Sequence, residues 1–151
     1  MRRELNTKEK THILASNYIG YLAYIYKDRP FIAPITYFYD QENNNVICYS
    51  NEGQKLTAMR QNHQVSLCVT DIDSVNDWKS VVANGLFREL VGGEAIAHLH
   101  TFTIGVKDLI INKELRKLDF ISEFSAKIHE DNAPSVFIIK VSEITGQLRN
   151  S

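Results

Sequence analysis

The chain has 151 residues, a net charge of −1, 44% hydrophobic residues and 23% charged residues. That length suits one domain with a sizeable core, and the composition is that of a folded protein rather than a disordered one. The near-neutral charge gives no general attraction to nucleic acid or to an anionic membrane, so neither is expected as a partner.

Met1-Arg2-Arg3-Glu4 opens a polar segment with no apolar core behind it, so no signal peptide is expected. The longest apolar runs, such as Val136 to Ile139, are too short to cross a bilayer, and a cytoplasmic location is the expectation. Thr7 to Asn17 reads as a helix that Asn6 or Thr7 can cap, with Ile13 and Leu14 on its inner face. Ile19 to Tyr26 is dense in β-branched and aromatic residues and ends at the turn signature Lys27-Asp28-Arg29-Pro30. Phe31 to Tyr39 is a second such run, and the two make a hairpin. Both faces of the first strand are apolar: Ile19, Tyr21, Ala23 and Ile25 on one, Leu22, Tyr24 and Tyr26 on the other. One face can fill a core. The other needs a second cover, most simply another copy of the chain, so a homodimer is expected.

Asp40 to Asn45 is a polar loop, Val46 to Ser50 a short third strand, and Asn51-Glu52-Gly53 a break. Gln54 to Gln61 reads as a brief helix with Leu56 and Met59 facing inward. Gln64 to Asp71 alternates cleanly, placing Val65, Leu67 and Val69 on one face. Asp71 to Asp77 reads as a loop, and Trp78 to Leu90 as a long strand in which Gly85 marks a bulge or bend. Gly92-Gly93 punctuates the chain, which is then mainly helical to about Asn132, although the β-branched residues of Thr101 to Val106 compete with the helical period. Lys113 to His129 carries a helical stripe of Leu115, Leu118, Ile121, Phe124 and Ile128. Pro134 closes that region and Ser135 to Val141 is the last strand. About six strands and three or four helices result, in a single domain over 1–151 without repeats or linkers.

Conventional catalytic signals are sparse. Cys48 and Cys68 both fall in strand-like runs and read as reduced, buried thiols. His98 and His100 lack further ligands at matching spacing, so no metal site is expected. No nucleophile–base pair stands out, and the glycines do not form a dinucleotide fingerprint.

Two strand features carry information. Pro34 sits mid-strand, where it cannot donate to a ladder, so the strand must be open or bulged there. The third strand stops at Ser50 and passes through Gly53 into a helix that begins near Gln54-Lys55. A strand, a tight glycine turn and a helix N-terminus bearing a lysine make a candidate anion site, where free N–H groups meet the anion and the ammonium adds full charge. The alternative is a turn that only starts a helix, with a solvated lysine.

The succession Gly20-Tyr21-Leu22-Ala23, Pro34-Ile35-Thr36-Tyr37, Tyr49-Ser50, Gly53-Gln54-Lys55-Leu56, Val65 to Val69, and Trp78-Lys79-Ser80-Val81-Val82 with Gly85 resembles the pyridoxamine 5'-phosphate oxidase-like superfamily. Within it, the chain is most similar to the small flavin-binding proteins that include the 5-nitroimidazole-resistance type, from the first helix to Ile144-Thr145-Gly146. The resemblance implies an α+β protein, mainly β: a six-stranded split barrel with peripheral helices that dimerises and holds FMN in two symmetric interface clefts. By position, Lys55 resembles the family's phosphate-binding lysine, with Ser50 and Gln54 as neighbouring phosphate contacts. Pro34, Ile35, Thr36 and Tyr37 correspond to the strand that runs beside the isoalloxazine ring and offers it backbone groups. Trp78 and Ser80 fall in the segment that approaches the flavin from the partner subunit. The bottom-up alternatives stay open: Trp78 can be a core or interface anchor, and Tyr37 can simply pack.

One departure matters. Relatives of the nitroimidazole-resistance type often carry a histidine on the third strand shortly before the glycine–lysine turn, where this chain reads Cys48-Tyr49-Ser50. Slow or absent nitroimidazole reduction is expected from that difference. The resemblance implies an FMN-dependent oxidoreductase acting on a small molecule with an electron donor such as NAD(P)H. The alternative is a protein that binds or stores a flavin, heme or F420 without turnover.

Overall fold

The structure, a computed structural model, describes residues 1–114 and 134–151. A short strand β1 (Arg2–Glu4), absent from the sequence reading, precedes helix α1 (Thr7–Ser16). The helix starts at Thr7 because Asn6 caps it reciprocally. The Asn6 side chain accepts from the Glu9 N–H at 2.9 Å, and the Glu9 carboxylate accepts from the Asn6 N–H at 3.1 Å. Arg3 donates to the same carboxylate at 2.8 and 2.9 Å and holds its pKa down to about 2. Asn6→Ala should cost about 1 kcal/mol, read as a lower urea midpoint at unchanged slope. An unmoved midpoint would show that tertiary packing alone sets this helix start.

The remaining elements are β2 (Ile19–Tyr26), β3 (Arg29–Asp40), β4 (Asn45–Ser50), α2 (Gln54–Gln61), β5 (Gln64–Ser74), β6 (Asp77–Glu89), α3 (Gly92–Glu114) and β7 (Ser135–Arg149). The sheet order is β1-β7-β4-β3-β2-β5-β6, and β6 also pairs with β7. Strands β2 to β7 therefore close into a six-stranded antiparallel barrel, with β1 added on the edge of β7. This is the α+β, mainly β barrel architecture that the family resemblance implied.

Burial explains why some strands alternate and others do not. Leu22 and Tyr24 of β2, Tyr37 of β3, Val65 and Leu67 of β5, Val81 of β6, and Phe137 and Ile139 of β7 fill the barrel with Leu14 of α1 and Met59 of α2. A second cluster lies outside it, where Leu99, Phe102, Val106 and Ile110 of α3 cover Ile47 of β4 and Val136 and Ile138 of β7. Strand β7 is buried on both faces from Val136 to Ile139, which is why it reads as an unbroken apolar run. Thr101 to Val106 is helical despite its β-branched residues. Phe102 and Val106 pack on the sheet, and Thr101 and Thr103 donate back to the Ala97 and Leu99 carbonyls.

Several expected boundaries move. Lys27 and Asp28 both have positive φ, 52° and 59°, and form the whole β2–β3 turn, so Arg29 and Pro30 already belong to β3. Most of the expected loop Asp71–Asp77 is ladder: Asp71 pairs with Lys79, Ile72 with Trp78 and Ser74 with Asp77, leaving only Val75 and Asn76 as the turn. This solvated arm has no buried face and hence no alternation to read. Strand β7 runs on past Val141 to Arg149 because β6 and β1 continue to pair with it. The helical stripe expected from Leu115 to Ile128 lies outside the described residues.

No element among the described residues covers the outer face of the β2–β3 hairpin. Ile19 is 55% exposed, Tyr21 50% and Ile32 70%, and Ile25 and Pro34 are exposed beside them. Both faces of β2 are apolar, as the sequence indicated, and only the Leu22/Tyr24 face is buried within the chain.

Candidate functional site

Strand β3 opens the site. Only Tyr37 to Asp40 pair with β4, so among the described residues Arg29 to Thr36 have β2 as their sole strand partner. The Tyr37 N–H donates to the Tyr18 carbonyl at 2.8 Å on the β2 side. Antiparallel alternation then turns the Pro34 nitrogen and the Thr36 N–H toward the unpaired edge. Proline is tolerated because no ladder bond is needed at that position, and the strand is open rather than bulged. The unpaired edge leaves backbone donors and acceptors for something other than the sheet.

Strand β4 ends at Ser50 against this open edge and turns into α2. No side chain caps α2 at Gly53, so the N–H groups of its first turn have no side-chain acceptor. A Cβ built on Gly53 would meet nothing within 4 Å, so the turn is open above the glycine. Lys55 is half-buried and, among the described residues, has no hydrogen-bond or ion-pair partner. A free ammonium, an uncapped helix start and an open turn are donors of the kind that can hold an anion.

These parts line one cleft of about 540 Å³, bounded by Tyr24, Ala33 to Thr36, and Tyr49 to Lys55. It gathers six of the nine residues expected to bind the cofactor: Pro34, Ile35, Thr36, Ser50, Gln54 and Lys55. Ile35 turns its side chain to the core and contributes backbone. Ser50 is nearly buried and donates to the Asn51 carbonyl at 3.1 Å, while Gln54 donates from Nε2 to the Tyr24 hydroxyl at 3.1 Å.

Tyr37 does not reach the cleft. Its ring is fully buried in the barrel, its hydroxyl donates to the Leu14 carbonyl at 2.8 Å, and burial pushes its pKa up. It is a packing residue, because the period of two turns every odd residue from Ile35 to Tyr39 inward. Trp78 and Ser80 line a separate groove of about 490 Å³ with Arg2, Lys10 and Gln147. Arg2 lies 5.8 Å over the Trp78 ring and donates to Gln147, and Lys10 donates to the Ile144 carbonyl, so both cations of that groove are engaged.

Among the lining residues that sequence reasoning missed, three have side chains that shape the cleft. Tyr24 reaches the cleft because α2 packs on β2, a tertiary contact with no local signal. Tyr49, noted only as the position lacking a histidine, forms part of the wall and stands edge-on to Phe102 of α3 at 5.4 Å. Burial raises its pKa, so it stays a neutral phenol at ordinary pH. Glu52 was read only as part of a chain break, yet it lies in the lining beside Gly53. Cys48 is buried behind this strand with its thiol pKa pushed up by burial, and both cysteines are free.

A family model described as Pyridoxamine 5'-phosphate oxidase matches residues 6–147. An uncharacterized protein from Rhizobium meliloti (strain 1021) is 34% identical over 104 residues, 68% of each chain. A FAD-binding protein from Mesorhizobium loti has a crystal structure that superposes with a TM-score of 0.72 at 25% identity, covering 99% of both chains. The FAD and heme binding protein from Mycobacterium smegmatis gives a TM-score of 0.71 at 13% identity, over 98% of this chain and 74% of that one, a likeness of fold.

Proposed function

This chain belongs to the pyridoxamine 5'-phosphate oxidase family, and from that premise we propose that it binds FMN in the β3–α2 cleft and works as a flavin-dependent oxidoreductase on a small molecule. The observation that carries this reading is the unpartnered Lys55 beside an uncapped helix start and an unpaired strand edge. Lys55 and the first-turn N–H groups of α2 hold the phosphate, with Ser50 and Gln54 beside it. The open edge at Pro34 and Thr36 offers backbone groups to the polar rim of the ring. When bound, the flavin supplies the redox chemistry, accepting electrons from a donor such as NAD(P)H. The protein's part is to bind, orient and shield it. Tyr49, a neutral phenol at the wall, can donate a hydrogen bond but is a poor proton carrier near neutrality compared with histidine.

FMN is preferred to FAD here because, among the described residues, the cleft has a single free cation at a single turn, which fits one terminal phosphate. That relatives of this fold bind FAD, or FAD and heme, makes the spectrum of the purified protein the deciding experiment. Flavin bands, with FMN as the nucleotide released on denaturation, support the reading. A Soret band or released FAD overturns it. Reduction of the bound flavin by NADH or NADPH in stopped flow separates an oxidoreductase from a storage protein.

The same reading includes a homodimer. The exposed Ile19, Tyr21, Ile25 and Ile32 form an apolar sheet face that runs into the cleft at Pro34. A second copy would cover that face and bring its own Trp78–Ser80 strand to the flavin. Sedimentation should give a dimer at micromolar concentration; a well-folded monomer there would leave the apolar face unexplained and remove the role given to Trp78.

A further inference from the structure

The turn that precedes α2 carries a carboxylate where an anion is meant to bind. Glu52 is one residue before Gly53 and lines the same cleft as Lys55. Left free, it would compete for the Lys55 ammonium and repel a phosphate dianion arriving at the turn. It is not free. Arg60, near the other end of α2, donates from Nη1 to Glu52 Oε2 at 2.9 Å and from Nη2 to Oε1 at 2.7 Å. The same guanidinium donates to Glu89 at the end of β6, from Nε at 2.8 Å and from Nη2 at 2.7 Å. Ser135, at the start of β7, adds a longer bond to Glu52 at 3.4 Å. Arg60 holds both carboxyl groups below their usual pKa, so both are ionised while bound to it.

Stability alone does not explain where the bridge sits. Its bidentate, three-membered form adds some stability, but the Glu52 side chain is 66% exposed against 28% for Glu89, so the arm that reaches the turn adds least. Its geometry is more informative. Glu89 is fixed on a barrel strand, so Arg60 is anchored from behind and presents its remaining fork to a carboxylate on the anion-binding turn. We infer that Arg60 is a positioning residue for phosphate binding: it draws the Glu52 carboxylate off Lys55, neutralises it, and ties the Asn51–Gly53 turn to the barrel. The inference rests on the flavin reading above and specifies what makes the site selective for a phosphorylated flavin over the bare nucleoside.

The test is titration of the full-length protein with FMN and with riboflavin at low and high salt, for the wild type, Arg60→Ala and Arg60→Ala/Glu52→Gln. Arg60→Ala should weaken FMN roughly tenfold at low salt, with the loss shrinking as salt rises, because the freed carboxylate acts through charge. Riboflavin, lacking the phosphate, should scarcely respond. Removing the charge of Glu52 in the double variant should restore most of the FMN affinity, a rescue that a purely structural role for Arg60 would not produce. Glu89→Gln supplies a milder version that loosens the anchor without releasing a new charge at the turn. Wild-type FMN affinity in Arg60→Ala, a parallel loss of riboflavin, or failure of the double variant to recover would each overturn the inference while leaving the flavin reading intact. A wild type that binds no FMN overturns the flavin reading and this inference with it.

Discussion

Lys55→Ala is expected to raise the FMN dissociation constant roughly 10- to 100-fold at low ionic strength, the size of a lost charge-assisted hydrogen bond. Lys55 makes no hydrogen bond or ion pair among the described residues, so its removal orphans no internal polar partner and the fold should be little affected. That separates it from most binding-site substitutions, where loss of affinity and loss of structure are entangled. The effect should diminish as salt rises, since counterions screen a partly exposed charge pair. Riboflavin is the internal control: with no phosphate for Lys55 to hold, its affinity should be nearly unchanged. An FMN constant equal to that of the wild type at low salt would make Lys55 an ordinary surface lysine and remove the anchor of the proposed site. Arginine at the same position should retain much of the affinity, because the charge rather than the ammonium geometry carries the contact to a single phosphate.

Gly85→Ala should be the most damaging conservative substitution in the barrel, lowering stability by roughly 3 kcal/mol or more. A Cβ at Gly85 would stand 2.3 Å from the Lys140 carbonyl oxygen, 2.8 Å from Ile139 Cγ2 and 2.9 Å from the Lys140 carbonyl carbon. Two of these three atoms are backbone of β7, so no rotamer change relieves the clash. The contact lies at the shift in β6–β7 register between Asn84 and Gly85, on the seam that closes the barrel. Relief therefore means separating β6 from β7, the pair that joins one end of the strand order to the other. Gly93→Ala makes the matched control, since a Cβ there meets nothing within 4 Å and the residue lies in α3. It should be neutral or slightly stabilising, because alanine is the better helix former. Urea denaturation distinguishes the two; equal midpoints for Gly85→Ala and the wild type would mean that the seam does not close as described.

Much of the molecule was legible locally. The limits of β2 and α2 coincide with those read from composition and periodicity, and α1 differs by a single residue at its C-terminal end. In each case a local cause is strong: reciprocal capping by Asn6 and Glu9, a dense β-branched run, a glycine ahead of an amphipathic turn. The same holds for Pro34, whose missing N–H can be read from the sequence as an opening in the sheet. Where local causes were weak, reading faltered. The strand extension Asp71–Ser74 and the short β1 are defined by their partners across the ladder and carry no burial pattern of their own. The second half of β7 alternates from Ile144 but turns Ile144, Gly146 and Leu148 inward, an apolar signal that the glycine breaks.

The site divides along the same line. The chain by itself determined the strand–glycine–lysine turn to which anion binding is proposed, because strand end, glycine and lysine are close in sequence and their chemistry is local. It also determined that the strand is open at Pro34, because proline has no N–H to donate to a ladder there. Only the tertiary structure decided which side chains the turn meets. Barrel closure turned Tyr37 into the core, the packing of α2 on β2 brought Tyr24 to the cleft, and Arg60 drew Glu52 toward Glu89. Tyr37 and Leu14 are 23 positions apart, and Arg60 and Glu89 are 29 apart. At such separations the partner is chosen by the path of the backbone through the barrel, and no local preference of either residue encodes it.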